Sequence, residues 1–361
     1  MHPGDDGPLR GSDRPLVNRY GTGIFDLDGV VYRGVRPVPH AATALAEAAR
    51  SGMRPLFLTN NSSRTPDEVA AVLAGMGIAA DEKQVVTSAE TAAGMAAERL
   101  PPGARVLVVG GPAVETALRR RGLTPVRSLD DEPVAVVQGF APEVDWQQLA
   151  EAGFAVARGM PWIASDVDLR IARERGIAPG NGTLVDAIRM ATGREPLVAG
   201  KPEPPIFAEA ARRSSGGCLV IGDGLDTDVR GARRNGFDSA LVLTGVTTVD
   251  ALLEAPPEAR PTYLLADLRG LLSSRPEVRR ESGRFTCGRW TARWDAGEVS
   301  VLNGGGAPPA ATGERPADVV DAVRVLCHAV WAARDTGRAA QVERGTRWLL
   351  EWPGAADEGS E

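Results

Sequence analysis

Asp26 and Asp28 are the two residues of this chain best placed by spacing to do chemistry together. They stand two apart in Ile24-Phe25-Asp26-Leu27-Asp28-Gly29-Val30, where an apolar run ends in acids and then glycine. Strand side chains alternate faces, so the carboxylates share a face if the strand continues to them. Carboxylates that close repel each other and are normally tolerated beside a cation. The pair is therefore a candidate metal-dependent site at the mouth of a sheet. Two plainer readings compete. Asp-Gly alone is a hairpin turn signal. An EF-hand loop needs Asp or Asn at its fifth position and Glu at its twelfth, but Val30 and Pro37 stand there and exclude it.

The elements around this pair predict an α/β protein. Thr22–Leu27 is the first strand, His40–Ser51 an Ala-rich helix with Gly52 as its stop, and Pro55–Thr59 a second strand. Thr65-Pro66-Asp67-Glu68 opens the next helix with N-cap, N1 proline and N3 acid in order. Alternating strands and helices predict a parallel sheet covered on both faces. A second α/β region follows, with strands at Val106–Val109, Val134–Val137, Phe154–Ala157 and Trp162–Ala164. Its helices are expected at Ala113–Arg121, Val144–Ala152 and Leu184–Thr192. Cys218–Gly222 is another buried-type strand, after a helix around Pro205–Arg213. Ser273–Gly283 is turn-rich and charged and reads as a linker. Five of the seven Trp lie beyond it, in a small α+β unit with a hairpin about Asp295-Ala296-Gly297 and an amphipathic helix from Val319 to Trp331. Gly304–Gly313 reads as a flexible loop, and the two polar ends, 1–15 and 354–361, as tails.

Composition narrows the function. The 361 residues allow two or three domains, and 43% hydrophobic with 24% charged residues is ordinary for a globular protein. A net charge of −6 argues against a nucleic-acid partner bound through phosphate neutralisation. No apolar run has the ~20 residues of a membrane span, so no membrane partner is expected. Cys218, Cys287 and Cys327 lie far apart without zinc spacing and fit a reducing cytoplasm. The oligomeric state is left open, a homodimer included.

Three apolar strands end in polar groups: Asp26/Asp28, Thr59-Asn60-Asn61, and Asp223 with Asp228. In open parallel sheets ligands bind at the carboxyl ends of strands, where these groups can converge. Lys201 precedes a helix start and adds a cation, giving a set suited to a phosphate and a divalent metal. Singly, Thr59 reads as a strand-end cap, Asn60-Asn61 and Asp223-Gly224 as turns, and Lys201 as a solvated charge; their joint order favours a catalytic set. Asp26-x-Asp28-Gly-Val, Thr59-Asn60-Asn61-Ser62, Gly200-Lys201-Pro202 and Gly222-Asp223-x-Leu225-x-Thr227-Asp228 resemble the four motifs of haloacid dehalogenase (HAD)-superfamily phosphatases, in the NagD-like and 4-nitrophenylphosphatase-like branch (subfamily IIA). The resemblance covers roughly 20–272.

The resemblance implies a Rossmann-like parallel-sheet core, discontinuous over 16–86 and 197–272, with a C2-type α/β cap at 87–196. A linker at 273–283 then leads to a C-terminal α+β domain at 284–353. It implies Asp26 as nucleophile and metal ligand, and Asp28 as general acid and base that binds metal through its backbone carbonyl. Asp223 would be a direct ligand of Mg²⁺, Asp228 an outer ligand or an orienter of Lys201. Thr59, with the amides of Asn60 and Asn61, would hold the phosphoryl oxygens while Lys201 balances charge. In the cap, Gly180-Asn181-Gly182-Thr183 is either a substrate-facing loop, with Gly182 approaching the ligand, or an ordinary helix start. Ser165-Asp166-Val167-Asp168 departs from the branch's Thr-Asn-x-Asp, and the extra acid is expected to disfavour a second anionic group on the substrate.

The composition and the C-terminal unit are similar to those of actinobacterial glycerol-3-phosphate phosphatases, which carry a truncated acetyltransferase-like appendage. No pyrophosphate-binding loop occurs in 284–352, so no acetyl transfer is expected. The implied activity is Mg²⁺-dependent hydrolysis of a small phosphate ester, glycerol 3-phosphate first. The alternatives are phosphates of pyridoxal, nucleotides, sugars or aryl groups, and, in another class, a non-catalytic phosphate-ester sensor with a partner-binding C-terminal domain.

Overall fold

Ile24 and Phe25 are fully buried on opposite faces of the strand Thr22–Asp26, as a strand covered on both sides requires. The computed structural model describes residues 8–173, 175–304 and 318–350. The expected tail at 354–361, Trp352 and the loop after Gly304 lie outside the described residues. Two compact units emerge, one formed by Met1–Arg33, Pro37–Arg54 and Gly216–Glu361, the other by Gly34–Arg36 and Pro55–Ser215.

In the first unit four parallel strands run in the order Tyr263–Leu265, Asp238–Val242, Cys218–Gly222, Thr22–Asp26. The pairing of Phe25 with Ile221 sets Asp26 beside Gly222, so Asp26 and Asp223 leave the sheet at the same edge. The C-terminal residues add a five-stranded sheet, in the order Arg279–Glu281, Arg284–Cys287, Trp290–Asp295, Glu298–Asn303, Gln341–Val342. The helix Val319–Arg334 packs on it. The expected hairpin is present, with Asp295 opposite Glu298, and a turn at Gly288 separates its first strand from Arg284–Cys287. One apolar cluster joins this sheet and helix to Leu241 and Leu264 of the first sheet and to Leu252 of the helix Val249–Leu253. Trp290 and Trp331, 1% and 2% exposed, are core residues.

Two expectations at the ends of this unit change. Arg279–Glu281, inside the expected linker, is a strand. Residues 9–12, expected to be a disordered tail, are pinned: Leu9 is fully buried, its amide donates to Pro261 at 3.0 Å, and Ser12 bridges to Arg275. A single leucine in a polar segment supplies the apolar anchor.

In the second unit the strand Arg54–Thr59 pairs in parallel with Val85–Thr87. A separate five-stranded parallel sheet runs Leu197–Val198, Trp162–Ala164, Ala135–Gln138, Arg105–Val109, Thr124–Val126. Val106, Val108 and Val137 face one helical layer, Leu107, Val109 and Val136 the other. Phe154–Ala157, expected as a strand, is the last turn of the helix Trp146–Ala157. Asp145 caps that helix, accepting from the Gln148 amide at 2.9 Å, and Gly153 does not interrupt it. A hairpin of Arg170–Arg173 with Gly176–Pro179 precedes the helix Asn181–Thr192. Among the described residues no helix is long and apolar enough to cross a membrane.

Candidate active site

Two groups of polar residues carry the chemistry, one in each unit. In the first, ligand oxygens of Asp26, Asp223 and Asp228 lie within 4.8 Å of one another. Asp26 is half-buried, while Asp223 and Asp228 are 5% and 2% exposed. Leu225–Val229 winds as one wide helical turn, which brings Asp228, five residues on, back beside Asp223. The Asp228 carboxylate then accepts from the Gly224 amide at 3.1 Å and the Thr227 hydroxyl at 3.0 Å. Asp223 accepts from the Val246 amide at 2.7 Å, and its backbone carbonyl from the Thr247 hydroxyl. A Cβ on Gly245 would lie 1.8 Å from an Asp223 oxygen, and one on Gly29 2.2 Å from the same atom. Only glycine leaves room for the acid at both positions, and Gly29 also adopts φ +78°.

Three hard oxygen donors at this separation, two of them buried, suit a small divalent cation such as Mg²⁺. Asp28 is not part of the cluster. The strand ends at Asp26, so the two aspartates do not share a strand face. Asp28 instead bridges to Tyr32 in a tight turn in which Val31 and Tyr32 donate to the Leu27 carbonyl, and it is exposed. The segment Thr244–Thr247 was missed as part of the site. Its signal was in the sequence: like the other site strands, Asp238–Val242 runs apolar and then meets Thr and Gly.

In the second unit Thr59 ends its strand, 3% exposed. Its oxygen accepts from the Asn61 amide at 3.1 Å, which leaves the hydroxyl proton to donate elsewhere. The Asn61 side chain accepts from the amide and hydroxyl of Ser63, at 2.9 and 2.7 Å. The Asn60 side chain reaches Lys201. Its Oδ1 accepts from the Lys201 amide at 2.8 Å, and its Nδ2 donates to the Lys201 carbonyl at 3.1 Å and to Asp168 at 2.9 Å. Lys201 is 3% exposed, not the solvated charge of the plainer reading.

The segment 165–168 differs from expectation. Asp166 is 4% exposed and turned inward, accepting from the Ser165 hydroxyl at 2.8 Å and the Asp168 amide at 3.2 Å. Burial, and then the nearby Asp168, push its carboxyl up to about 7. An acid held inward and partly neutralised is not displayed to repel a substrate anion. Gly182 closely approaches its own chain: a Cβ there would lie 2.1 Å from the Val167 carbonyl, and its amide donates to Asp168 at 2.9 Å. Asn181 does not cap the helix; it donates to the Asp166 carbonyl at 2.8 Å.

A profile of haloacid dehalogenase-like hydrolases matches residues 23–124, and a second HAD-like hydrolase profile matches 198–271. The chain belongs to the haloacid dehalogenase-like hydrolases. It is 43% identical over 314 residues to the D-glycerol 3-phosphate phosphatase of Mycobacterium tuberculosis, covering 86% of each chain. It is 35% identical to an acid sugar phosphatase of Staphylococcus saprophyticus, over 71% of this chain and 98% of the other. The crystal structure of the M. tuberculosis glycerol phosphate phosphatase in complex with magnesium superposes with a TM-score of 0.79 at 39% identity, covering 94% of this chain and 98% of that one. A p-nitrophenyl phosphatase from Archaeoglobus fulgidus gives 0.65 at 29% identity, over 70% and 98%.

Proposed function

We propose that this chain is a Mg²⁺-dependent phosphomonoesterase that hydrolyses glycerol 3-phosphate to glycerol and phosphate. The observation that carries the reading is the Asp26–Asp223–Asp228 cluster at the sheet edge, in a chain related along most of its length to a phosphatase of that substrate. The sugar-phosphatase relative covers 71% of the chain, the glycerol 3-phosphate phosphatase 86%. The longer match favours the glycerol ester.

Asp26, Asp223 and Asp228 would hold the metal, Asp228 as an outer ligand, with the Asp28 backbone carbonyl beside them. Bound Mg²⁺ supplies positive charge that lets a carboxylate approach a phosphate dianion. Asp26 attacks phosphorus, the bond to the ester oxygen breaks, and Asp28 gives its proton to the leaving alkoxide. Asp28 then takes a proton from water, the water oxygen attacks the aspartyl-phosphate, and phosphate leaves with Asp26 restored. Thr59 and the Asn60 backbone amide bind phosphoryl oxygens, the Asn61 amide joins them by exchanging its bond to the Thr59 oxygen, and Lys201 offsets their charge. In this assignment 16–86 and 197–272 form the catalytic core, and 87–196 the cap that selects the leaving group. Gly182 packs against the Val167 carbonyl there, an approach that only glycine permits. The three free cysteines support a reducing, cytoplasmic setting.

The test is a panel of phosphate esters with Mg²⁺, ranked by kcat/KM. Glycerol 3-phosphate should lead hexose phosphates, pyridoxal phosphate and nucleotides by about tenfold or more, the scale of 1.4 kcal/mol in transition-state binding. A sugar phosphate at the top would overturn the substrate assignment. Binding of esters without release of phosphate would overturn the enzyme reading in favour of a sensor.

A further inference from the structure

Lys201 is held by a side chain 141 residues away. The Asn60 carboxamide pairs with both the amide and the carbonyl of Lys201, so it fixes the backbone on either side of that Cα. The approach is tight. A Cβ on Gly200 would lie 2.6 Å from Asn60 Oδ1, so glycine is required before the lysine. The pairing works in one orientation of the carboxamide only. With Nδ2 and Oδ1 exchanged, the one carboxamide oxygen would face both the Lys201 carbonyl and the Asp168 carboxylate, and the NH2 would face the Lys201 amide. Asp168, an acceptor when ionised, adds to the Lys201 amide and carbonyl in selecting the working orientation. Asp168 is itself placed by its segment: its amide donates to Asp166, and its carbonyl accepts from Gly182.

We propose that Asn60 is a positioning residue for Lys201 and that Asp168 orients the Asn60 carboxamide, so that the segment 165–168 determines where the lysine stands. The proposal rests on the reading of Lys201 as the cation that acts on the phosphoryl group. It changes the role of Asn60: the side chain holds the lysine, whatever the backbone amide does for the substrate. It also gives the acid at 168 a task in catalysis without contact with the reacting atoms.

Asn60→Asp is nearly isosteric and tests this. The new carboxylate can still accept from the Lys201 amide, but it cannot donate to the Lys201 carbonyl and it faces Asp168. With p-nitrophenyl phosphate and Mg²⁺, kcat should fall on the order of 10²-fold, the scale of a misplaced catalytic group, while KM changes by less than about threefold. Asp168→Asn alone should cost only a few-fold. The double variant should regain about tenfold or more over Asn60→Asp, because the introduced amide can donate to the introduced carboxylate. A general loss of folding would not produce that rescue. Hydrogen exchange on the metal-free chain gives a readout independent of turnover. The peptide carrying the Lys201 amide should exchange faster in Asn60→Ala, and to a smaller degree in Asp168→Asn if Asn60→Ala does not fold. Wild-type kcat in Asn60→Asp, or a double variant no better than it, overturns the proposal; so does unchanged exchange. If the wild-type chain releases no phosphate from any ester, the functional reading fails. The exchange measurement then still decides whether Asn60 holds Lys201.

Discussion

Asp223 and Asp321 are both buried acids of the same compact unit, 5% and 7% exposed, and they serve opposite ends. Asp223 gathers with Asp26 and Asp228, like charge beside like charge within 4.8 Å. Asp321 pairs with the fully buried Arg324 at 2.9 Å. That guanidinium also donates to the carbonyls of Pro276 and Leu9 at 2.8 and 3.0 Å. Arg324 thereby ties the N-terminal segment, the residues before the C-terminal sheet, and the C-terminal helix at one point. The ion pair at Arg324 makes a clamp, whereas the gathering of three acids about Asp223 makes a cation site. A buried acid reads as structural or functional by the sign of its nearest neighbours.

The contrast breaks first at Asp223. Asp223→Asn keeps an oxygen for the Val246 amide and removes one negative charge. Phosphatase turnover should fall by about 10³-fold, with Mg²⁺ affinity lost by calorimetry. The thermal midpoint of the metal-free chain should hold or rise, because repulsion is relieved. A drop in that midpoint would place Asp223 with the structural acids.

Arg324→Met should do the reverse. Leaving Asp321 buried without its cation should cost about 3–5 kcal/mol in denaturant unfolding, while kcat per folded molecule is unchanged. Adding Asp321→Leu should recover much of the loss, since a matched apolar pair replaces a stranded charge. No recovery would mean that the hydrogen bonds to Leu9 and Pro276, rather than the ion pair, carry the clamp.

His328 adds a smaller, pH-dependent effect to the same region. Burial, opposed by a hydrogen bond with the Leu9 backbone and aided by the Arg324 charge, pushes its pKa down to about 4. Its Nε2 has no partner among the described residues. The folded chain therefore prefers neutral imidazole. This contribution is fully present above the unfolded value near 6.5 and is lost as pH falls towards about 4. Half-buried as the ring is, the loss should be on the order of 2 kcal/mol. Unfolding midpoints at pH 7 and pH 4.5 measure it, and His328→Phe should remove that part of the slope. The smallest effect is expected at Asp335, which meets the two terminal nitrogens of Arg260 at 2.6 Å and is held below the usual carboxylate range by that guanidinium. Asp335→Ala should cost no more than about 1 kcal/mol, in keeping with a partly exposed pair.

The chemistry of the first-unit site was legible because each part is local. An apolar strand, an acid at its end and a glycine beside it can be read within seven residues, as at Ile24–Val30 and Cys218–Asp223. Thr65 with Glu68 was legible for the same reason, and the Thr65 amide does donate to Glu68 at 2.8 Å. Contacts between distant segments were not legible. Nothing near Asn60 announces Lys201 or Asp168, which lie 141 and 108 residues on. The composition shift after 283 suggested a separate domain behind a linker. The added C-terminal sheet is present, but that Phe285, Trp290 and Trp331 share one apolar cluster with Leu9 and Leu264 was not legible, because burial is decided by which faces meet rather than by segment composition. Phe154–Ala157 misled because a short apolar run fits a strand or a buried helical turn equally well.

Asp26→Asn, compared with the wild-type chain for Mg²⁺-dependent release of phosphate from glycerol 3-phosphate, tests the central claim most directly. The substitution preserves shape and removes the nucleophile, so release should fall by at least about 10³-fold with the fold intact by circular dichroism. Comparable release from both proteins would contradict a reaction that passes through Asp26.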